Sequence, residues 1–344
     1  MNSSILLIYT GGTIGMKQDQ DTLALIPFNF DQIEAEVPEL KKFGYKIDSY
    51  SFTPPVDSSE ISYTFWIELA EIIADNYKKY DGFVILHGTD TMSYSASALS
   101  FMLENLEKPV IFTGSQLPIG MLRTDGKENL ISSIEIAAAK DSEGRAMVPE
   151  VCVYFESKLY RGNRTTKDNA ENFRAFRSPN YPHLAEAGIH IKYNKNFISY
   201  PYEWGKDLII NTRLDTNVAI LKIFPGISPS VVGSFLNIEG LRAIILETYG
   251  SGNAPTSGWL ISMLTDAIQK GLVILNVSQC PAGSVNMEAY STGILLKKIG
   301  VLSGYDSTTE AALTKLFFIL GNNFEIQEIT KGLSQKIRGE ISID

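Results

Sequence analysis

Two short apolar runs early in the chain each end in glycine and threonine. The first run covers residues 5–9 and is followed by Thr10-Gly11-Gly12-Thr13-Ile14-Gly15, and the second covers residues 83–86 and is followed by His87-Gly88-Thr89-Asp90-Thr91. Continuous apolar runs of this length, bounded by glycine, are typical of strands buried on both faces of a parallel sheet. Ligands bind at the carboxyl ends of such strands, so the pattern predicts that Thr13 and Thr89 face one pocket.

Strand and helix patterns alternate through the first part of the chain. In residues 62–73, Trp66, Leu69 and Ile73 recur at helical spacing, and Asp57-Ser58-Ser59 precede this segment as candidate helix caps. Helices are also predicted from Asp31, over 91–105 and over 128–140, and strands over 46–52, 109–113 and 150–155. This order predicts an α/β fold with a larger N-terminal domain, built on a doubly wound, mostly parallel sheet.

A smaller C-terminal α/β domain is predicted from a second series of strands and helices. Residues 192–212 contain Asn, Pro and Gly without a sustained period, so we expect domains over 1–191 and 213–344 joined by a linker over 192–212. The predicted strands of the second domain cover 218–224, 242–248 and 272–277, and its helices begin at Ser228 and Ser257 or cover 308–320 and 325–337.

Composition and charge exclude several classes of partner. The chain has 344 residues and a formal charge of −9, and its basic residues are scattered, so we expect no nucleic-acid partner. No run is long enough for a membrane span or a secretory signal, so we expect no membrane partner. Cys152 and Cys280 each lie within or at the end of an apolar run, where buried free thiols are expected, which favours the cytoplasm.

The common cofactor and metal motifs are absent from the sequence. None of the glycine-rich turns at 11–15, 120–126 and 250–255 has the spacing of a dinucleotide or phosphate loop. The three histidines and two cysteines form no paired metal-ligand motif. We therefore expect neither a cofactor nor a metal.

The polar residues after the predicted strands indicate a site for a small polar substrate. A single threonine beside glycine is more often a local hydrogen-bonding group than a nucleophile. Here, however, Thr13, Thr89-Asp90 and Asp57-Ser58-Ser59 each follow a predicted strand, so hydroxyls and carboxylates should converge on one edge of the sheet.

The same segments closely resemble the signature segments of the bacterial-type L-asparaginase family. The resemblance covers nearly the whole chain, and its Arg-Gly-Asn-Arg segment points to the cytoplasmic, type I branch. The matching segments are 9–15, 57–59, 86–92, 112–116, 161–167 and 249–255.

The resemblance implies hydrolysis of the side-chain amide of asparagine to aspartate and ammonia. By match of motif, Thr13 is the nucleophile that forms an acyl-enzyme, and Thr89, Lys167 and Asp90 form a group that relays a proton. The residues leave open whether Thr13, Thr89 or a water molecule attacks first.

Substrate contacts and assembly are implied in the same way. Asp90 and Asp57 would bind the α-ammonium of the substrate, and Ser58 and Ser59 would bind its α-carboxylate. The Ser115 carbonyl would accept a hydrogen bond from the leaving amide. Backbone amides near Gly12 and Thr89 are candidates for the oxyanion hole. Family members assemble as homodimers or homotetramers, in which Asn253 would complete the site of another subunit.

Two positions depart from the family pattern. Many relatives carry a tyrosine in the loop after the first strand, whereas residues 16–27 contain none. Cooperative type I members use an arginine to bind asparagine as an effector, and the matching residue is Glu247. A carboxylate cannot pair with the effector's carboxylate, so we expect this regulatory site to be absent or altered.

Two alternatives of different kinds remain. One is a related amidohydrolase, such as a glutaminase or a subunit of a transamidation complex, although the latter would predict an additional N-terminal domain. The other is a catalytically silent module that binds an amino acid, which would predict loss of a reactive group, whereas Thr13, Thr89, Asp90 and Lys167 are all present.

The substitution at Glu247 leads to a kinetic prediction. The initial rate of asparagine hydrolysis should rise hyperbolically with asparagine concentration, because Glu247 repels an effector carboxylate. Measurement of ammonia release over a wide concentration range tests this. A sigmoidal curve that becomes hyperbolic in Glu247→Gln would contradict it.

Overall fold

The computed structural model describes residues 3–18, 25–27, 37–256, 258–323 and 325–343. The chain divides into two compact units, Met1–Thr212 and Arg213–Asp344. Residues 192–212, the predicted linker, are counted within the first unit. The helix predicted from Asp31 begins outside the described residues.

The first unit contains three described α-helices and fourteen described strands. The helices are α1 (Tyr63–Asn76), α2 (Met92–Met102) and α3 (Gly126–Ala138). The strands are β1 (Ser4–Tyr9), β2 (Met16–Gln18), β3 (Leu25–Pro27), β4 (Lys46–Ser51), β5 (Gly82–Leu86), β6 (Leu103–Glu104), β7 (Val110–Thr113), β8 (Val151–Phe155), β9 (Lys158–Arg161), β10 (Thr166–Lys167), β11 (Phe176–Arg177), β12 (Ala185–Ala187), β13 (Ile191–Tyr193) and β14 (Ile209–Ile210).

One sheet of eight strands organises the first unit. Its order is β13-β12-β9-β8-β7-β5-β1-β4, with parallel pairs from β4 to β8 and antiparallel pairs from β8 to β13. Every residue of β5 is buried, as expected for a strand covered on both faces. Val84 and Leu86 of β5 pack into the same core cluster as Ile5, Leu7 and Tyr9 of β1.

The second unit has its own four-stranded parallel sheet in the order β15-β16-β17-β18. Its strands are β15 (Val218–Lys222), β16 (Ala243–Thr248), β17 (Val273–Ser278) and β18 (Leu302–Ser303). Its helices are α4 (Pro229–Leu236), α5 (Gly258–Gln269), α6 (Ser291–Ile299), α7 (Thr309–Asn322) and α8 (Ile326–Leu333). The predicted fold class, a larger mostly parallel α/β domain followed by a smaller α/β domain, is confirmed.

Two local predictions are wrong. Asp57-Ser58-Ser59 do not cap α1, because that helix begins only after Ser62, and Asp57 instead caps a separate 3-10 turn over Ser58–Glu60. Cys280 is exposed rather than buried, because it lies beyond the end of β17, whereas Cys152 is buried in β8.

The predicted linker contains short paired segments. Strand β13, which begins one residue before this 192–212 range, continues the main sheet by pairing with β12, and β14 pairs with β6. Two-residue and three-residue strands carry too few side chains to show a periodic pattern in the sequence. The backbone pairing is therefore visible only in the structure.

A buried ion pair joins β9 to the residue that precedes β8. Arg161 Nε lies 2.6 Å from Glu150 Oε2, and the two side chains are 3% and 9% exposed. Arg161 Nη2 also donates to the Ser199 hydroxyl at 2.7 Å, so the pair holds the 197–199 segment against the sheet. Buried charges of this kind are stable only while both partners remain.

Glu150→Gln should lower the free energy of unfolding by about 3–5 kcal/mol, because it leaves the Arg161 guanidinium buried without its counter-charge. Urea titration followed by circular dichroism measures this change. Glu203→Gln, which removes one partner of the exposed Lys206–Glu203 pair, is the matched control and should cost less than about 1 kcal/mol. Equal effects of the two substitutions would contradict the prediction.

Candidate active site

The polar segments predicted from the sequence follow four strands that are neighbours in the sheet. The strand order β4-β1-β5-β7 is parallel throughout, so the carboxyl ends of these strands share one edge. Asp57 follows β4, Thr13 follows β1, Thr89 follows β5 and Ser115 follows β7. The topology therefore brings together the residues that were predicted to converge.

The turns after β1 and β5 touch backbone to backbone. A methyl group placed on Gly12 would lie 2.5 Å from the Cα of Gly88, so no other side chain fits there. Gly12 also has a φ of 89°, which glycine adopts readily and other residues rarely do. Thr13 and Thr89 each come directly after one of these two glycines.

The turn after β4 packs against the same place. A methyl group on Gly88 would lie 2.5 Å from the hydroxyl oxygen of Ser58, which is almost completely buried. The Thr91 hydroxyl donates to the Ser58 carbonyl at 2.7 Å. Three turns thus meet around Gly88, and the Asp57-Ser58-Ser59 segment is held beside Thr89.

Thr13 begins a short 3-10 turn that two hydrogen bonds hold in place. The Gly15 amide donates to the Gly12 carbonyl at 3.2 Å, and the buried Tyr9 hydroxyl donates to the Gly15 carbonyl at 3.0 Å. Thr13 itself is half-buried. Among the described residues its hydroxyl has no hydrogen-bond partner, so it is available to a ligand.

A second group of side chains forms around Thr89. Lys167 Nζ donates to Thr89 Oγ1 at 2.8 Å and to Asp90 Oδ1 at 2.6 Å. The Lys167 side chain is 19% exposed and that of Asp90 is 65% exposed, so the pair is open to solvent on the carboxylate side. The three residues predicted to form a relay are therefore in direct contact.

Gln116 belongs to this group and was not among the predicted site residues. Its side-chain amide nitrogen donates to the Ala170 and Asn172 carbonyls at 3.0 and 3.1 Å. The side-chain oxygen must therefore face away from these two carbonyls. That oxygen accepts from the Thr89 hydroxyl at 3.4 Å. Its position directly after Ser115 at a strand end is the sequence signal that could have identified it.

The predicted ligand contacts differ in how far they are already engaged. Asp57 accepts hydrogen bonds from the Ser59 amide and hydroxyl, both at 2.8 Å, and these bonds lower the pKa of the Asp57 carboxyl. Ser115 is buried, and its hydroxyl donates to the Leu117 carbonyl at 2.5 Å. Asp57 is therefore ionised, and the Ser115 hydroxyl is already engaged.

Asn253 and Glu247 belong to the second unit. Asn253 lies in the turn after β16, where its side-chain oxygen accepts from the Thr292 hydroxyl at 2.6 Å. Glu247 accepts from the Thr309 hydroxyl at 2.9 Å and lies 3.6 Å from Lys222 Nζ. The Glu247 carboxylate thus has partners of its own within that unit.

The segment after Thr13 is described only in part. Strands β2 and β3 pair in antiparallel fashion, with Met16 opposite Pro27, and residues 19–24 lie outside the described residues.

Within the described ranges, no cluster of three or more His, Cys, Asp or Glu side chains is arranged to hold a metal ion. No α-helix there is both long and apolar enough to cross a membrane.

Comparison with known families matches both units. Residues 4–199 match the family profile "Asparaginase, N-terminal", and residues 217–333 match the profile "Glutaminase/Asparaginase C-terminal domain". The chain belongs to the asparaginase family. The resemblance inferred from the Thr13 and Thr89 segments is confirmed.

Individual members of the asparaginase family match over the full length. L-asparaginase 1 of Escherichia coli K12 is 44% identical, with 99% of this chain and 98% of the relative covered. The crystal structure of L-asparaginase I from Vibrio cholerae superposes with a TM-score of 0.90 at 40% identity, and both chains are covered completely. A mouse protein named 60 kDa lysophospholipase is 37% identical over 98% of this chain, which spans 62% of that longer protein.

A chain of buried hydrogen bonds supports the Gly88 turn of this asparaginase-family site. Trp66 Nε1 donates to the Ser95 hydroxyl at 2.9 Å, and that hydroxyl donates to His87 Nε2 at 2.9 Å. His87 Nδ1 then donates to the Gly88 carbonyl at 2.6 Å, since a carbonyl can only accept. Burial lowers the pKa of His87 to about 4, so the imidazole is neutral at pH 7.

The buried histidine makes stability depend on pH. The pKa of His87 is about 4 in the folded protein and near 6.5 when unfolded, so its contribution is complete above pH 6.5 and is lost as the pH falls toward 4. Between pH 7 and pH 4 the free energy of unfolding should fall by ~3 kcal/mol more in wild type than in His87→Asn. Urea titrations at both pH values measure this difference. Identical pH dependence in the two proteins would contradict the assignment of a buried neutral imidazole.

Proposed function

We propose that this chain hydrolyses the side-chain amide of L-asparagine to L-aspartate and ammonia. The observation that supports the proposal is the contact between the Gly12 and Gly88 turns, because Thr13 follows the first glycine and Thr89, which Lys167 bonds together with Asp90, follows the second. Similarity to L-asparaginase 1 of Escherichia coli over nearly the whole length of both chains supports the same activity.

Thr13 is the proposed nucleophile. Its hydroxyl oxygen attacks the side-chain carbonyl carbon of asparagine and forms a tetrahedral oxyanion. The carbon–nitrogen bond then breaks, ammonia leaves with a proton from the site, and an ester to Thr13 remains. Water adds to this ester and releases aspartate and the free threonine hydroxyl. The free hydroxyl of Thr13 in the described part of the chain fits this role.

The proton route runs through Thr89 and Lys167. In the resting arrangement Lys167 donates to both Thr89 and Asp90, and the Thr89 hydroxyl donates to Gln116. To take up the Thr13 proton, the Thr89 hydroxyl must donate its own proton to an unprotonated Lys167 nitrogen instead of to Gln116. Once charged, Lys167 can donate a proton to the departing ammonia. Asp90 holds the Lys167 ammonium group in place.

The substrate's charged groups find complementary partners on the same edge of the sheet. The carboxylates of Asp57 and Asp90 are proposed to bind the α-ammonium. Ser58, Ser59 and nearby backbone amides are proposed to bind the α-carboxylate. The Ser115 carbonyl is proposed to accept a hydrogen bond from the leaving amide. Backbone N–H groups next to Gly12 and Thr89 are proposed to stabilise the oxyanion, where preorganised donors contribute most to rate.

Assembly and location follow from the family. We propose a homodimer or homotetramer in which Asn253 completes the substrate site of another subunit. The Thr292 hydroxyl donates to the side-chain oxygen of Asn253. The side-chain nitrogen of Asn253 is therefore the group proposed to bind a ligand. A cytoplasmic location is proposed from the similarity to the type I branch, and the free thiols of Cys152 and Cys280 agree with a reducing compartment.

Glutamine is the alternative substrate of the same chemistry. It differs from asparagine by one methylene group, and a pocket distinguishes such a pair by only ~1–3 kcal/mol. Both amides must therefore be compared directly.

Ammonia release from asparagine should fall more than about a thousandfold in Thr13→Ala, Thr89→Val and Lys167→Met, because each removes a group that bonds to or transfers a proton in the transition state. A coupled assay for ammonia with asparagine or glutamine measures the rates. Thr64→Val, which changes an exposed threonine of α1, should keep the wild-type rate.

The same assay can refute the proposal. Wild-type protein that releases ammonia from neither amide would contradict an amidohydrolase function. Lysophosphatidylcholine serves as the third substrate because of the mouse relative's name. Release of fatty acid without any release of ammonia would assign this chain a different reaction.

A further inference from the structure

The turn after β7 lies on the same edge as the two threonines. A methyl group on Gly114 would lie 2.5 Å from the His87 carbonyl, so this turn is packed directly against the end of β5. The turn carries Ser115, whose carbonyl is proposed to face the leaving amide, and Gln116, whose side-chain oxygen faces Thr89. Its backbone must be fixed for both groups to point correctly.

One carboxylate fixes this backbone. Both carboxylate oxygens of Asp125 lie 3.1 Å from the backbone nitrogen of Gln116, and Oδ1 also accepts from the backbone N–H of Leu117 at 3.2 Å. Asn129 completes the arrangement by donating to the Gly114 carbonyl at 3.0 Å and to Asp125 Oδ2 at 3.3 Å. Three N–H donors therefore converge on the carboxylate of Asp125.

The carboxylate does not act as an ordinary helix cap. Asp125 directly precedes α3, where an aspartate usually accepts from the amides of its own first turn, yet its side chain makes no such bond. The Thr124 hydroxyl instead accepts from the Gly126 amide at 2.9 Å. Asp125 is thus free to bind the preceding turn, and burial raises the pKa of its carboxyl even though the N–H donors oppose this.

We propose that Asp125 is a positioning residue for amide hydrolysis. It holds the Gln116–Leu117 backbone so that the Ser115 carbonyl faces the substrate and the Gln116 side chain reaches Thr89. The role rests on the proposed function, because it acts on groups assigned to that reaction. Asp125 itself touches neither Thr13 nor Thr89 in the hydrogen bonds that the described residues form.

Asparagine at this position is the sharpest substitution. An amide keeps the shape of the carboxylate but has one acceptor oxygen, so the amide nitrogen must face at least one of the three N–H donors. The turn should then shift without a change in side-chain volume. A shift of this turn alters the groups that meet the leaving amide more than those that meet the substrate's α-groups.

The test is the steady-state kinetics of Asp125→Asn with asparagine, together with its free energy of unfolding. We expect kcat to fall at least tenfold while KM changes less than about threefold. The matched control is Asp141→Asn, because Asp141 also accepts two backbone N–H bonds, from Glu143 and Arg145, and its neighbour Lys140 pairs with Asp81 at the amino end of β5, opposite the site. This control should keep the wild-type kcat.

A double-mutant cycle separates positioning from stability. If Asp125 acts through the Gln116 turn, Asp125→Asn should reduce kcat much less in a Gln116→Ala background than in wild type. If Asp125→Asn does not fold, Thr124→Val replaces it, because the Thr124 hydroxyl donates to the Leu117 carbonyl of the same turn at 3.1 Å. We expect that variant to lower kcat about threefold.

The outcomes distinguish the two proposals. Active wild-type protein with an unchanged kcat in Asp125→Asn, or in Thr124→Val where that variant is needed, would overturn the positioning role and leave the proposed function intact. A loss of stability without loss of kcat in the folded protein would likewise overturn it. Wild-type protein that releases no ammonia would refute the proposed function, and this role with it.

Discussion

The contact between Gly12 and Gly88 is the constraint on which the candidate site depends. Two backbones approach here so closely that a single added methyl group would lie 2.5 Å from its neighbour. Parallel strands β1 and β5 lie side by side, but their following turns would diverge if either carried a side chain at this point. The absence of two side chains therefore allows the turns that carry Thr13 and Thr89 to meet.

The surrounding polar groups divide into those that hold the site and those that are free to react. His87, Ser58 and Asp125 are buried or half-buried. The His87 ring donates to the Gly88 carbonyl, the Ser58 carbonyl accepts from the Thr91 hydroxyl, and the Asp125 carboxylate accepts from the Gln116 backbone amide. In contrast, the Thr13 hydroxyl has no hydrogen-bond partner among the described residues, and the Asp90 side chain is 65% exposed. This division is physically consistent, because a rigid supporting layer keeps the reactive groups above it in a fixed geometry.

The sequence was sufficient for most of the first-unit sheet and for the two threonines. Buried parallel strands are continuous apolar runs, so β1, β5, β7 and β8 were predictable, and a resemblance over the same segments identified the family. Sequence could not show that Gln116 faces Thr89, because that orientation depends on carbonyls of residues 170 and 172. Nor could it show that Asp125 binds the backbone of the Gln116 turn and not the backbone amides of its own helix. Both are tertiary contacts between segments whose local patterns are ordinary.

A crystal structure of the protein with L-aspartate, the expected product, tests the shared pocket most directly. We predict that the side-chain carboxylate of the bound aspartate lies within hydrogen-bond distance of both Thr13 Oγ1 and Thr89 Oγ1, with its α-groups toward Ser58 and Asp90. An aspartate that binds elsewhere, or that contacts only one of the two threonines, would contradict a site built on the contact between their turns.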